Sequence, residues 1–323
     1  MIQSSVQAFK SYPGYKAFTI ETILLDKPLG FTLYIDNGEK LIKYVRAEGM
    51  LQTDTKERLI QNDVDHFYIA SGDSHVFDNY MIDNLCTVLN TPGMSKSEKS
   101  AIIYSSAIHV MQDMFESDIS ASKIMRVKEL MHETIKRIIS SEVTVASLLQ
   151  LSTHDYKTYS HCVNVALYAI GIGHEYGLNE QELHNIASGA ILHDVGKCRI
   201  DNCIINKPAK LTLEEFETIK DHPEHSHSIL LENGETNPNI LEIVLMHHEK
   251  LDGSGYTKGL GKNDISFGTQ IVTVADIFDA LTSNRSYKNA ASFFVSLKTM
   301  KVQMKTQLNL ELIDALIKMM GRA

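Results

Sequence analysis

The 323-residue chain is poor in cysteine and proline, with four and six. No apolar run approaches the ~18 residues of a membrane span. Cys86, Cys162, Cys198 and Cys203 form no CxxC pair and are too sparse to staple a chain of this length. A disulfide framework is therefore excluded, and a reducing compartment is the simpler reading. An excess of positive charge is also missing: 31 basic residues face 40 acidic ones, a formal charge of -9. That excludes a broad electrostatic footprint for DNA or RNA, so no nucleic acid polymer is expected as partner. Any anionic ligand must be met by a local cluster of positive charge. The first residues (MIQSSVQAFKSYPGYK) lack the apolar core of a signal peptide. With no span either, the expectation is a cytoplasmic protein that does not engage a membrane.

What remains is ordinary globular composition, 43% hydrophobic and 22% charged, in a length that suggests roughly two domains. Histidine is the exception. Of 14, only His66, His75, His109 and His132 precede residue 150, leaving ten beyond it. Imidazole is a common metal ligand, so a local excess directs attention to the second half of the chain.

Residues 17–70 read as strand-rich, FTIETILL followed by GFTLYIDNGEKLIKYV, with Asn37-Gly38 predicting a type I′ hairpin turn. HFYIASGDSHVF looks less regular. From about 78 to 151 the pattern turns helical, and Ile124, Val127, Met131, Ile135 and Ile138 make one apolar stripe. The stripe suits either a core face or a dimer-forming or signal-carrying connector, which leaves a homodimer and a protein signalling partner open. Beyond 152 the helical reading continues: YKTYSHCVNVALYAIGIGHEYG stops near Gly177, Asn179 and Glu182 have capping spacing, and Pro223 suits the first turn of HPEHSHSILL. The expected division is 1–77 as a small α/β regulatory or dimerisation domain, 78–150 as connecting helices, and 151–323 as an all-helical domain.

His193-Asp194 closes an apolar run, with Lys197 four residues on and so expected on the same helix face. The dipeptide alone is weak, since His154-Asp155 repeats it without that context. Its company gives it weight: His161 on the preceding helix, His222 opening a following one, His247-His248 ending ILEIVLMHH, and Asp276 within ADIFDALTS. An ionised carboxylate in an apolar helix is costly unless paired, and a metal ion would compensate both Asp194 and Asp276.

The motifs DYKTYSH, HDVGK, KDHPEHS, HHEKLDGSGYTKGL and ADIFDALTSNRSYK, in that order over about residues 150–290, resemble the HD-GYP phosphodiesterases of the HD metallohydrolase superfamily. The resemblance implies an α+β chain with an all-helical HD-GYP domain behind a small β-rich domain and connecting helices. It also implies hydrolysis of cyclic di-GMP to pGpG and on to GMP, by hydroxide bridging two metal ions. Carried over by position, it gives His161, His193, Asp194 and Asp276 to one ion, and Asp194 as a bridge with His222, His247 and His248 to the other. Seven ligands leave coordination positions open for catalysis, and imidazole with carboxylate and no thiolate favours Fe or Mn. Asp194 and Lys197 become the catalytic pair, and Gly255, Tyr256, Arg285 and Lys288 the substrate contacts. Glu249 and Asp252 are expected to orient ligand histidines.

The chain departs from the family at two positions. Thr257 stands where the motif has proline, and Lys157 stands where three-metal members carry glutamate, which favours two ions. Cyclic GMP-AMP is an alternative substrate because nothing visibly reads the base. The reading from another class is a cyclic-dinucleotide-binding or interaction module with weak catalysis.

Overall fold

A computed structural model of the chain describes residues 10, 12–62, 64, 66–91, 94–152, 157–284 and 290–321. Two compact units emerge, Met1–Met94 and Ser95–Ala323, and the fold is α+β as expected.

The first unit contains β1 (Tyr15–Thr19), β2 (Leu33–Asp36), β3 (Leu41–Val45), α1 (Thr53–Gln61), β4 (His66–Ala70) and α2 (Ser74–Leu89). Its antiparallel sheet has the order β1-β4-β2-β3, with β1 and β4 in register from Tyr15 opposite Ala70 to Thr19 opposite His66. Strand β2 alternates as the pattern requires, Leu33 and Ile35 buried, and Phe31 meets Phe77 edge-on at 5.3 Å in the core. β4 lies in the stretch expected to be irregular. Phe67, Tyr68 and Ile69 are all buried, so this inner strand shows no alternation to read. Helix α1 had no counterpart in the sequence reading. The hairpin forms one residue later than expected: Asn37 N–H donates to Lys40 O, and Gly38 (φ +92°) and Glu39 occupy the turn. A type I′ turn at Asn37-Gly38 would need positive φ at both, and Asn37 instead uses its side-chain oxygen to accept the Glu39 and Lys40 amides.

The second unit is helical: α3 (Lys96–Glu116), α4 (Ala121–Ile139), α5 (Val145–Leu149), α6 (Thr158–Glu175), α7 (Glu180–Leu192), α8 (Asn202–Ile205), α9 (Leu213–Ile219), α10 (His222–Glu232), α11 (Pro238–Met246), α12 (Phe267–Thr282), α13 (Phe293–Gln303) and α14 (Leu310–Met320). Every residue of α6 from Ser160 to Gly173 is buried, and α3, α5, α7, α12 and α14 pack around it. A helix apolar on all sides can only be a core helix.

The expected boundaries at 77 and 150 fall elsewhere in physical terms. Residue 77 lies inside α2, and α3–α5 belong to the helical unit rather than to a separate connector. The stripe explains it: Ile124, Val127, Met131, Ile135 and Ile138 are 0–5% exposed, in a helix that packs on α3 and α7. Full burial of each such side chain contributes about 1.5–3 kcal/mol, enough to hold α4 to the unit.

The segment that carries His193 and Asp194 departs from expectation too. Helix α7 ends at Leu192, and Val195–Arg199 forms a short 3-10 turn, so Lys197 is not stacked one α-turn from His193. The turn is clamped to α10 by Ser226, whose hydroxyl accepts from Gly196 N–H at 2.7 Å and donates to His193 O at 2.8 Å. A Cβ on Gly196 would stand 2.2 Å from His222 O and 2.3 Å from Ser226 N. Gly196→Ala should therefore push α10 away, destabilising the chain by about 1–3 kcal/mol and weakening metal binding together, read by chemical denaturation and Mn²⁺ titration.

Glu142 ties α3 to α4, accepting from Lys99 at 2.6 Å, from Arg137 at 2.9 and 3.1 Å, and from Ser140 at 3.1 Å. The Lys99 hydrogen bond, then those of Arg137 and Ser140, pull its pKa down to about 2. A depressed carboxyl contributes stability that is complete above its unfolded value, 4.5, and lost as pH falls toward 2. The Glu142→Gln variant should accordingly lose less melting temperature than wild type between pH 6 and pH 3, with the two curves parallel above pH 6.

Candidate metal centre

Three histidines reach the site in one way. His193 follows the last residue of α7, His247 follows α11, and His222 lies three residues beyond the end of α9. In each the ring Nδ1 faces the carbonyl oxygen three residues earlier: Ala190 at 2.5 Å, Ile219 at 2.6 Å and Val244 at 2.9 Å. A carbonyl has no proton to give, so Nδ1 is the donor and Nε2 keeps a lone pair. His161, in the first turn of α6, has its Nδ1 2.7 Å from Asp279 Oδ2 and is fixed by a carboxylate instead.

The Nε2 atoms converge. His222 Nε2 stands 3.2 Å from His247 Nε2 and 3.2 Å from His248 Nε2. His161 Nε2 lies 3.1 Å from Asp276 Oδ1 and 3.6 Å from Asp194 Oδ2, and His193 Nε2 is 3.4 Å from that same oxygen. The other Asp194 oxygen is 3.0 Å from His222 Nε2, so one carboxylate spans both groups. Asp276 Oδ2 approaches His248 Nδ1 at 3.6 Å. Ligand atoms of His222, His247 and His248, and those of His161, His193 and Asp276, lie within 4.8 Å of one another.

Whether this donor set fits a cation can be tested on the chain itself. His193 Nε2 and Asp194 Oδ1 are buried without a hydrogen-bond partner among the described residues. Such atoms are costly to bury unless something beyond the protein completes them. Burial holds His222 and His247 below the usual imidazole pKa and takes His248 to about 3, so these rings are neutral and available as donors. Burial alone would raise Asp194 and Asp276. At Asp194 the His193 ring and Lys197 outweigh it, at Asp276 the His161 hydrogen bond does, and both carboxyls lie well below the usual range. Neutral imidazoles and ionised carboxylates are the set that hard or borderline cations prefer.

Lys197 Nζ is 2.5 Å from Asp194 Oδ2, reached from the 3-10 turn. Tyr256 stacks on His248 with ring centroids 4.5 Å apart. Gly255 allows that approach, since a Cβ there would meet Glu249 Cα at 2.5 Å and His248 O at 2.6 Å. Arg285 and Lys288 lie outside the described residues. A cavity of about 420 Å³ opens beside His247 and His248, walled by Phe216, Lys220, Lys250, Tyr256 and Met304.

The expected roles of Glu249 and Asp252 need correction. Glu249 is buried, but its oxygens accept the amides of Lys258, Gly259 and Leu260, so it orders the glycine-rich loop rather than a histidine. Asp252 bonds Ser254 and Thr306 at the surface. The carboxylate that orients a histidine is Asp279, three residues after Asp276 and hence on the same face of apolar α12; that spacing was the available signal. Cys162 also went unread: its Sγ groups with His193 and Asp194, although burial raises its thiol pKa well above the ordinary value, which keeps it protonated. Lys157 is exposed, with its ammonium 5.8 Å from the Tyr159 ring centre.

Comparison with known proteins brings these residues under one description. The "HD domain" family model matches residues 133–311. A protein named "Cyclic di-GMP phosphodiesterase PA4108" of Pseudomonas aeruginosa is 33% identical over 160 residues, 50% of this chain and 39% of that one. "3'3'-cGAMP-specific phosphodiesterase 2" of Vibrio cholerae is 41% identical over 134 residues, 41% of this chain and 26% of its own length. The chain thus spans well under half the length of these two relatives. Among solved structures, the fold is similar to "Bd1817, a HDG"Y"P protein from Bdellovibrio bacteriovorus", with TM-score 0.65 and 18% identity over 95% of this chain and 99% of that one. With the family model matched over more than half of its length and the histidine and aspartate motifs gathered in the matched segment, the chain belongs to the HD domain family and, within it, to the HD-GYP group.

Proposed function

We propose that the helical unit is a metal-dependent phosphodiesterase that opens cyclic di-GMP to pGpG and carries the product on to GMP. The reading rests on one observation above all: three imidazole rings locked with their Nε2 lone pairs inward and two ionised carboxylates face a common space. In this reading His161, His193, Asp194 and Asp276 hold one ion, and Asp194, His222, His247 and His248 the other. Fe or Mn suits imidazole and carboxylate donors without a thiolate. An exposed Lys157 adds no ligand, which favours two ions over three.

Bound divalent ions would supply acidified water and neutralise charge on a phosphoryl group. The chain's own side chains do the rest. Lys197 holds a proton beside Asp194, placed for the leaving 3′ oxygen or a phosphate oxygen. Lys220 and Lys250 bring positive charge to the cavity of an otherwise acidic protein. Tyr256 and Phe216 offer aromatic faces on which a base could stack, a contact worth about 1–3 kcal/mol. Arg285 and Lys288 are proposed as further phosphate contacts.

Hydrolysis of cyclic GMP-AMP is the second reading, supported by relatives bearing that name at 41% and 34% identity. Aromatic stacking favours no particular purine. A non-hydrolysing module is disfavoured because all seven ligand positions are filled.

Thr257 bears on how Tyr256 is held. Its φ of +82° is a conformation that a proline ring cannot adopt and a β-branched residue rarely does, and its hydroxyl donates to Leu245 O at 3.0 Å. The loop is therefore built for a residue other than the motif proline. Restoring the motif with Thr257→Pro should lower kcat/KM about tenfold, from about 1–3 kcal/mol of displaced backbone, while metal content stays at the wild-type level. For the activity itself, anaerobically purified protein should carry near-stoichiometric transition metal and hydrolyse cyclic di-GMP faster than cyclic GMP-AMP, as read by metal analysis and product chromatography; the reverse order of rates would name the second substrate. His193→Ala and Asp194→Ala should each lose bound metal and about 10³-fold in turnover, the scale of several kcal/mol of charge stabilisation.

A further inference from the structure

The polar contact behind His161 does not end at Asp279. Asp279 Oδ2 also accepts from Ser283 Oγ at 3.2 Å, and Oδ1 accepts from Asn164 Nδ2 at 3.1 Å. Asn164 Oδ1 in turn accepts from the Tyr104 hydroxyl at 3.2 Å. These directions are forced. A carboxylate only accepts, so Asn164 must present its amide hydrogens to Asp279 and its oxygen to Tyr104, and the phenol must donate. The chain of contacts crosses three helices: Tyr104 on α3, Asn164 and His161 on α6, and Asp279 on α12. Tyr104 is 8% exposed, Asn164 3%, Asp279 2% and His161 2%, so water has little access to any link.

Position makes the arrangement specific. Asn164 is three residues after His161 and shares its helix face, so both reach the same carboxylate. Asp279 touches no other imidazole in the described hydrogen bonds, and a buried carboxylate with that single ring is retained at a desolvation cost. Its two oxygens are divided, one toward His161 and Ser283, the other toward Asn164. Without the Asn164 bond only Ser283 and His161 itself would restrain the carboxylate against turning about its Cβ–Cγ axis, and the 2.7 Å contact that aims the His161 ring would turn with it.

We propose that Tyr104, Asn164 and Asp279 are positioning residues, a relay through which α3 sets the aim of His161 and so the cation affinity of the His161–Asp276 side of the site. The relay depends on the metal-centre reading above. It also gives α3 a functional part: a displacement of that helix too small to unfold anything lengthens the Tyr104–Asn164 bond and loosens the donor at the other end. Partners that orient a ligand histidine typically govern affinity by 10–100-fold.

The test uses the full chain, freed of metal by chelation and titrated with Mn²⁺ by calorimetry. Tyr104→Phe and Asp279→Asn keep the shape of each side chain, and Tyr80→Phe, which removes a buried hydroxyl in the amino-terminal unit where it meets Leu24 N–H, controls for a merely structural loss. The relay requires that Tyr104→Phe and Asp279→Asn each weaken Mn²⁺ binding about tenfold or more, that the double variant be no weaker than Asp279→Asn alone, and that Tyr80→Phe bind as wild type does. Wild-type affinity in Tyr104→Phe, or effects that simply add in the double variant, would overturn the relay and leave the metal centre standing. A wild-type chain that takes up no Mn²⁺ would instead overturn the metal centre itself, and the relay with it.

Discussion

The helical unit is organised around an electrostatic conflict that the protein alone leaves unresolved. Three imidazoles are locked by backbone carbonyls into the tautomer that turns their lone pairs inward, and two carboxylates are ionised beside them. Lone pairs at 3.2 Å repel one another, and burial takes away the water that would screen them. Holding donors apart from a proton in this way costs stability, and the cost is borne by the packing of α6, α7, α11 and α12. The same carbonyl contacts serve a second purpose: a ring fixed at Nδ1 loses little freedom when Nε2 finds a cation, so the site is preorganised.

That logic explains which features were legible. His193, His222 and His247 stand at helix ends, where a residue can both use a free carbonyl and leave the helix axis, and helix ends are marked by apolar runs, proline and caps that can be read along the chain. Asp194 and Asp276 were legible because charge inside an apolar run demands a partner. Less visible was anything decided by which neighbour a side chain meets. Glu249 adjoins His247 and His248 in sequence yet turns to the amides of Lys258–Leu260, whereas Asp279, three residues past Asp276, holds His161. Lys197 was misplaced on the helix because a 3-10 turn leaves no trace in apolar periodicity. In the amino-terminal unit β4 escaped notice for the opposite reason to the stripe of α4: an inner strand buried on both faces has no period.

The loop around Gly255 shows how a motif can keep its chemistry while changing its geometry. Glu249 gathers three backbone amides, Gly255 lets the chain pass against His248, and Tyr256 is pressed onto that ring. Proline at 257 would fix φ near -65°, and the chain instead runs through +82° there. Threonine is an unfavourable residue for that conformation. Its hydroxyl repays part of the strain through Leu245 O and Glu249. The tyrosine position is thus maintained by a carboxylate and a hydroxyl rather than by a ring, and Glu249, which looked like a ligand-orienting group, is the residue on which that substitution depends.

Charge gives the remaining constraint. A chain with formal charge -9 repels an anionic dinucleotide at long range, and the lysines of the cavity are individually modest sources of attraction, Lys220 being paired with Glu217 at 2.7 Å. In the proposed two-ion centre the seven ligands would contribute only the two formal negative charges of Asp194 and Asp276, since an imidazole must be neutral to ligate a cation. Two divalent cations would therefore leave a net charge near +2 at the cavity floor, in a low-dielectric setting where charge acts strongly. Neutral ligands would leave that positive charge uncompensated and so make the centre attractive to phosphate. Histidine rather than aspartate at five of the seven proposed ligand positions would in this sense bear on the substrate as much as on the metal.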